Sequence, residues 1–173
     1  MIKALIFDMD NTLYELAEKY NDILIPGNKE DFFKTVKINK SEIKLLAELK
    51  NKYILFLITT GVKSWQEEKI DRFKLRPFFK KIFIDTGKGK KPYFEDILKM
   101  YKKEELAVVG DNIKSEIKDA NELGITTIRI LRGMKSKSVP FSSEEKPDYT
   151  IKNLKGLKKL INGQNIYKPI KIK

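Results

Sequence analysis

The 173-residue chain contains no cysteine and no histidine. Without thiols there is no disulfide, no thiolate nucleophile and no Cys/His zinc site. Without imidazole there is no Ser-His-Asp triad and no histidine general base. Chemistry on this chain must therefore run on carboxylates, hydroxyls, amines and a hard metal. Long apolar runs are missing as well: nowhere do about 18 apolar residues follow one another. The short apolar stretch at the N-terminus ends in Asp8 and Asp10, unlike a secretory signal. A soluble, cytoplasmic protein with no membrane partner is expected.

Arginine is scarce. Arg72, Arg76, Arg129 and Arg132 are the only arginines among 36 basic residues, which stand against 24 acidic ones, so the net charge of +12 is carried almost wholly by lysine. Lysine is a hydrated point charge, poorer than arginine at bidentate recognition. The excess reads as a solvated surface of the kind enriched in thermophiles, with weak attraction to polyanions such as nucleic acid as the alternative. A 41% hydrophobic and 10% aromatic composition suffices for a sizeable core, which predicts one compact domain.

Short apolar runs alternate with amphipathic stretches, the pattern of a three-layer α/β/α, doubly wound parallel sheet. Strands are predicted at Ile2–Phe7, Ile54–Thr59, Lys81–Ile84, Leu106–Val109 and Thr126–Leu131. Their near-continuous apolarity suits strands covered on both faces. Asn39 with Glu42, and Ser64 with Glu67, read as helix N-cap pairs, and Pro92 as a first-turn proline. Phe94, Ile97, Leu98 and Tyr101 form a helical stripe that reads as core. Further helices are predicted from Ser115 to Leu123, stopped by Gly124, and from Asn153 to Ile161. The stretch from Gly133 to Asp148, with Pro140 and Pro147, reads as a solvated connection.

The strand ends carry the chemistry. Asp8-Met9-Asp10-Asn11-Thr12 follows Leu5-Ile6-Phe7 directly, placing two carboxylates where ligands bind in a doubly wound sheet. Taken alone, the pair also reads as an acidic strand end capping the next turn. It is not a calcium loop, because Leu13 stands where Gly is needed and Lys19 where Glu is needed. The second strand closes as Ile58-Thr59-Thr60-Gly61, offering hydroxyls and flexible amides suited to phosphoryl oxygens. Gly87-Lys88-Gly89-Lys90-Lys91-Pro92 is neither a P-loop nor a dinucleotide fingerprint, but it sets a lysine directly before a helix. The fourth strand ends Gly110-Asp111-Asn112, with Glu116 shortly beyond.

This order of strand ends resembles the haloacid dehalogenase (HAD) superfamily, mostly magnesium-dependent phosphohydrolases with a Rossmann-like core. The family's motifs are DxDxT, an apolar strand ending in Thr or Ser, a Lys often followed by Pro, and GD with a second acid a few residues on. Here they fall on Asp8, Asp10 and Thr12, on Thr59, on Lys91, and on Asp111 with Glu116. Lys91 is preferred over Lys90 because it directly precedes Pro92. Glu116 stands where Asp is commoner.

The resemblance implies a phosphomonoester hydrolase. Asp8 would be the nucleophile that forms an aspartyl-phosphate, and Asp10 the acid and base that histidine cannot supply here. Thr59, Thr60, Gly61 and Lys91 would hold the phosphoryl group. Mg²⁺ would sit on Asp8, the Asp10 carbonyl and Asp111, with Glu116 through water or anchoring Lys91, and Asn112 as a further ligand. The core would span 1–161, with a short insert over about 13–38 forming a small lid around Tyr14–Tyr20 and Phe32–Phe33, and a basic tail over 162–173. Such a lightly covered site suits a macromolecular or phosphate-rich substrate, or a small one closed off by a second subunit. The alternative is a catalytically idle binding module on the same fold, one that binds nucleic acid.

Overall fold

A computed structural model of the chain describes residues 1–21 and 23–163. Six parallel strands form one sheet: β1 (Ala4–Phe7), β2 (Ile54–Thr60), β3 (Lys81–Asp85), β4 (Leu106–Gly110), β5 (Thr126–Ile130) and β6 (Tyr149–Ile151), in the order β3-β2-β1-β4-β5-β6. The order reverses at β1, whose neighbours are β2 on one side and β4 on the other. In doubly wound sheets the crevice outside such a reversal is where ligands bind. Phe7 pairs with Val109, so Asp8 and Asp111 leave adjacent central strands at the same edge.

Alternate residues of the buried strands feed two cores. Leu5, Phe7, Leu55, Leu57, Ala107 and Val109 face one side, Ala4, Ile6, Phe56, Ile58, Leu106 and Val108 the other. The first face is covered by α1 (Lys29–Thr35), α2 (Lys40–Lys50), α3 (Lys63–Arg72) and α6 (Leu154–Gly163), the second by α4 (Lys91–Leu98) and α5 (Lys118–Glu122). The predicted three-layer, doubly wound fold is therefore present. None of the described helices is long and apolar enough to cross a membrane.

Element boundaries follow local chemistry. At the start of α2 the Asn39 backbone N–H donates to Glu42 Oε2 (3.1 Å), half of a capping box. The Ser64–Glu67 pair does not cap a helix: α3 already begins at Lys63, with Val62 in the cap position. Between the connection that ends at Asp148 and the last helix lies a short edge strand, β6, paired with β5. The connection from Gly133 to Asp148 is tied down rather than loose. Arg129 donates through Nη2 to the carbonyls of Lys135 (2.7 Å) and Ser138 (2.9 Å), and Asn121 Nδ2 donates to the carbonyls of Glu144 and Lys146. The part of the expected basic tail from 164 to 173 lies outside the described residues.

The aromatics of the expected lid pack into the core, and Tyr20 and Phe32 among them also border a recess beside the cleft. Tyr14, Tyr20 and Phe32 are buried, and the Phe32 ring meets Tyr20, Phe33 and Trp65 at centroid distances of 4.9, 5.1 and 5.0 Å. Their apolar area is better removed from water against α3 than spread over an open site. Phe32 is the keystone of this packing, so Phe32→Ala should cost about 3–5 kcal/mol in denaturant unfolding. A loss below about 1 kcal/mol would show that α1 is not integrated into the core.

Candidate active site

Asp8 follows β1, and its backbone N–H donates to the Val109 carbonyl (3.0 Å), which fixes it beside the end of β4. Its Oδ2 accepts from Thr12 Oγ1 (3.1 Å), and its Oδ1 from the Nζ of Lys90 (2.5 Å). Lys90 also donates to Glu116 Oε2 (3.0 Å), while Glu116 Oε1 accepts the Asn112 backbone N–H (2.7 Å). Carboxylate oxygens of Asp8, Asp111 and Glu116, all buried, lie within 4.8 Å of one another. They line a cleft of about 310 Å³ together with Asp10, Thr59 and Thr60.

Local backbone features make this convergence work. Residues Ile113–Ile117 form a wide π-type turn with Ser115 off the helical region, and α5 begins only after it. The turn carries Glu116 back over Gly110, where a Cβ would lie 2.3 Å from Glu116 Cγ and Oε1. Glycine is required there by close approach. After β3, the buried Asp85 accepts backbone N–H groups of Gly87 (3.1 Å) and Lys88 (2.8 Å) through Oδ1. Asp119 Oδ2 then accepts those of Lys90 and Lys91 (3.1 Å each). The loop is thus set before α4 begins.

Burial and mutual repulsion govern the charges. Burial pushes the Asp8 carboxyl up to about 6, with the Lys90 ammonium opposing it. Burial, then the neighbouring charges of Glu116 and Asp8, push Asp111 up to about 8. Glu116 is also desolvated, but the Lys90 ammonium and the Asn112 amide outweigh this and hold it below its ordinary value. Burial would discharge Lys90, yet the two carboxylates overrule it and keep the ammonium well above the usual lysine range.

Two predicted site residues are corrected. Lys91 does not enter the cleft; its Nζ pairs with Glu122 (2.8 Å) on the surface, and the inward lysine is Lys90. Successive residues at a helix start point about 100° apart, so only one of the two can face Asp8. Gly61 does not offer its amide to a ligand either. That N–H is spent on the Asp85 carbonyl (2.9 Å), and its Cβ position lies 2.3 Å from Gln66 Nε2, away from the Asp8 cluster. Asn112 borders the cleft, but its side-chain oxygen accepts the Lys114 N–H (3.1 Å) and caps the wide turn. Thr59 lines the cleft and is buried, while Thr60 Oγ1 donates to Asp85 Oδ2 (3.2 Å).

Asp10 faces a different set of partners. Its Oδ1 accepts from Tyr14 Oη (2.5 Å) and its Oδ2 from Lys69 Nζ (2.5 Å), both from buried side chains. Lys69 was signalled only by its place in α3, on the buried face that also carries Trp65, Gln66 and Ile70. Of the surface lysines, Lys135 lines the cleft and Lys88 and Lys114 lie at the same edge of the sheet, while Lys52, Lys81 and Lys103 lie at the opposite one.

A doubly wound sheet whose adjacent central strands β1 and β4 bring Asp8 and Asp111 together, with Lys90 added from the loop after β3, is a Rossmann-like core. Residues 15–130 match the family model of haloacid dehalogenase-like hydrolases, and the chain belongs to that family. It is 38% identical over 122 residues to a glyceraldehyde 3-phosphate phosphatase of Methanocaldococcus jannaschii, covering 66% of this chain and 52% of the relative. A second such phosphatase, from Pyrococcus furiosus, is 34% identical over 131 residues, 70% of this chain and 53% of the relative. The chain therefore spans about half the length of these curated relatives. Among solved structures it is similar to the magnesium-bound putative HAD-hydrolase YfnB from Bacillus subtilis, with a TM-score of 0.70, 21% identity and coverage of 93% of this chain and 99% of that one.

The raised value at Asp111 has a stability consequence. Its folded value of about 8 exceeds the ordinary 3.8, so the ionised form opposes folding; the cost is complete above about pH 8 and fades as pH falls toward 4. In metal-free protein, Asp111→Asn should raise stability by about 1–3 kcal/mol near pH 9 and change it little near pH 4. A pH-independent effect in chemical denaturation would contradict this.

Proposed function

We propose that the protein is a Mg²⁺-dependent phosphomonoester hydrolase working through an aspartyl-phosphate on Asp8. The observation that carries this reading is the charge balance of the cleft. Four carboxylates, Asp8, Asp10, Asp111 and Glu116, line the cleft with the ammoniums of Lys90 and Lys135, and Lys69 holds Asp10 from the neighbouring recess. The acids outnumber the ammoniums, the surplus suits a divalent cation, and the donors are all oxygen, which fits Mg²⁺. Asp8, Asp111, the Asp10 carbonyl and Glu116 through water are the groups that would hold it. When bound, it supplies the positive charge that lets a phosphate dianion approach a carboxylate.

The protein's own groups then divide the work. An Asp8 oxygen attacks phosphorus while the ester P–O bond breaks, and Asp10, which takes up a proton from solvent once one of its oxygens leaves Tyr14 or Lys69, gives that proton to the leaving oxygen. Lys90, already bonded to Asp8, offsets the charge on the phosphoryl oxygens, and Thr59 supplies a hydroxyl to one of them. Water next attacks the phosphorylated Asp8, Asp10 takes its proton, and inorganic phosphate leaves with Asp8 restored. Because every charged position that this reaction uses is filled, the observations support a working enzyme over an idle binding module. The names of the archaeal relatives make short sugar phosphates the first substrates to try.

The test is turnover of p-nitrophenyl phosphate and a panel including glyceraldehyde 3-phosphate and a 5′-phosphorylated oligonucleotide, with Mg²⁺ or with chelator. Turnover should require Mg²⁺, and Asp8→Asn should lower it by at least about 10³-fold. Lys90→Met should cost about 10²–10³-fold, whereas Lys91→Met should stay within about twofold of the parent. Failure of the folded protein to turn over any of these esters would overturn the reading. Mg²⁺ should also raise the melting temperature of the parent protein and leave that of Asp111→Asn unchanged.

A further inference from the structure

Two cavities meet at Asp10. One is the polar cleft that holds Asp8; the second, of about 130 Å³, is bordered by Tyr20, Leu24, Trp65 and Lys69, and the two share Asp10, Leu16 and Thr60. Asp10 is thus part of the wall between the place where phosphorus would react and a partly apolar recess beside it. Both oxygens of its carboxylate are held, Oδ1 by Tyr14 and Oδ2 by Lys69. Lys69 is 3% exposed, and Asp10 is its single carboxylate partner among the described residues.

This arrangement answers a problem that the cleft creates. Asp10 lies two residues from Asp8, and the Lys90 ammonium beside Asp8 would attract any free carboxylate within reach. An Asp10 drawn onto Lys90 could not also serve the leaving oxygen. A second ammonium, delivered from α3 on the opposite side, divides the acids: Lys90 takes Asp8 and Glu116, and Lys69 takes Asp10. Burying a lysine is costly unless its partner is fixed, so the pair is firm in both directions.

We infer that Lys69, together with Tyr14, is a positioning residue of the reaction, holding the Asp10 carboxylate at the wall between the two cavities and away from the Lys90 cluster. The inference rests on the phosphomonoesterase reading above. It assigns the leaving group to the side of Asp10 that borders the recess, and it makes Lys69 matter in proportion to how much the leaving oxygen needs a proton.

That proportion is measurable. For each ester, kcat/KM reports the steps up to release of the leaving group, so the later hydrolysis of phosphorylated Asp8 drops out. In Lys69→Met, kcat/KM for an alkyl ester such as glycerol 3-phosphate should fall about 10²-fold, the scale of general acid catalysis. For p-nitrophenyl phosphate, whose leaving group departs as an anion, it should fall no more than about fivefold. Tyr14→Phe should show the same selectivity at about tenfold; it keeps the ring in the core and reports even if Lys69→Met does not fold. Lys69→Arg, which keeps the charge and the donor, should recover part of the alkyl-ester activity. An equal fall for both esters, or no fall for either, in a folded variant would overturn the positioning role while wild-type turnover keeps the enzyme reading intact. If the wild-type protein turns over neither ester, the reading and the inference fall together.

Discussion

The contact on which the rest of this structure depends is the buried ammonium of Lys90 lodged between Asp8 and Glu116. An isolated charge in such a place is prohibitively costly, and two carboxylates within 3.0 Å make it tolerable. The reverse also holds. Asp8, Asp111 and Glu116 converge in a space where their like charges repel, and without a cation among them their approach would be resisted. Each member of the cluster is therefore conditional on the others, although Asp8, Lys90 and the stretch that carries Asp111 and Glu116 are far apart in sequence.

The fold brings them together by economical means. Adjacency of β1 and β4 sets Asp8 beside Asp111, a wide turn with a glycine beneath it returns Glu116 over the strand end, and two acids outside the cluster, Asp85 and Asp119, fix the loop that aims Lys90. These last two do no chemistry in the proposed reaction. Their backbone hydrogen bonds choose which of two consecutive lysines faces inward, and so decide whether Asp8 has a partner.

Much of this was legible in the sequence because it rests on local rules. Apolar runs ending in Asp8, Thr59 and Asp111 announced parallel strands with polar carboxyl ends, and the buried stripe of Phe94 and Ile97 announced a packed helix. What was not legible depends on direction and tertiary contact. Proximity to Pro92 pointed to Lys91, but a proline fixes backbone torsion and not which neighbouring side chain turns toward the sheet. Gly61 looked like a free amide donor because pairing with Asp85 lies 24 residues away in the chain, outside any local pattern. The same applies to β6, three residues long and specified by β5 rather than by its own composition, and to the aromatics of the 13–38 segment, whose burial is decided by α3.

Lys69 shows the limit most clearly and also what a closer reading could have used. A lysine on the helical face that carries Trp65 and Ile70 violates the amphipathic pattern of α3. A violation of that kind demands an anion within reach of the buried face; the half-buried Asp10 is the one the fold supplies. Seen this way, the two lysines and four acids are not a surplus of charge around a cleft but a partition. One ammonium secures the carboxylate that would become covalently modified, the other the carboxylate that would move protons, and Asp111 lies beside the first of them. Burial pushes both Asp8 and Asp111 above their ordinary values, so ionising these two opposes folding. A fold that gathers these acids accepts that cost for a reason other than folding, and in the proposed reaction the division of its lysines would keep Asp8 and Asp10 at different tasks.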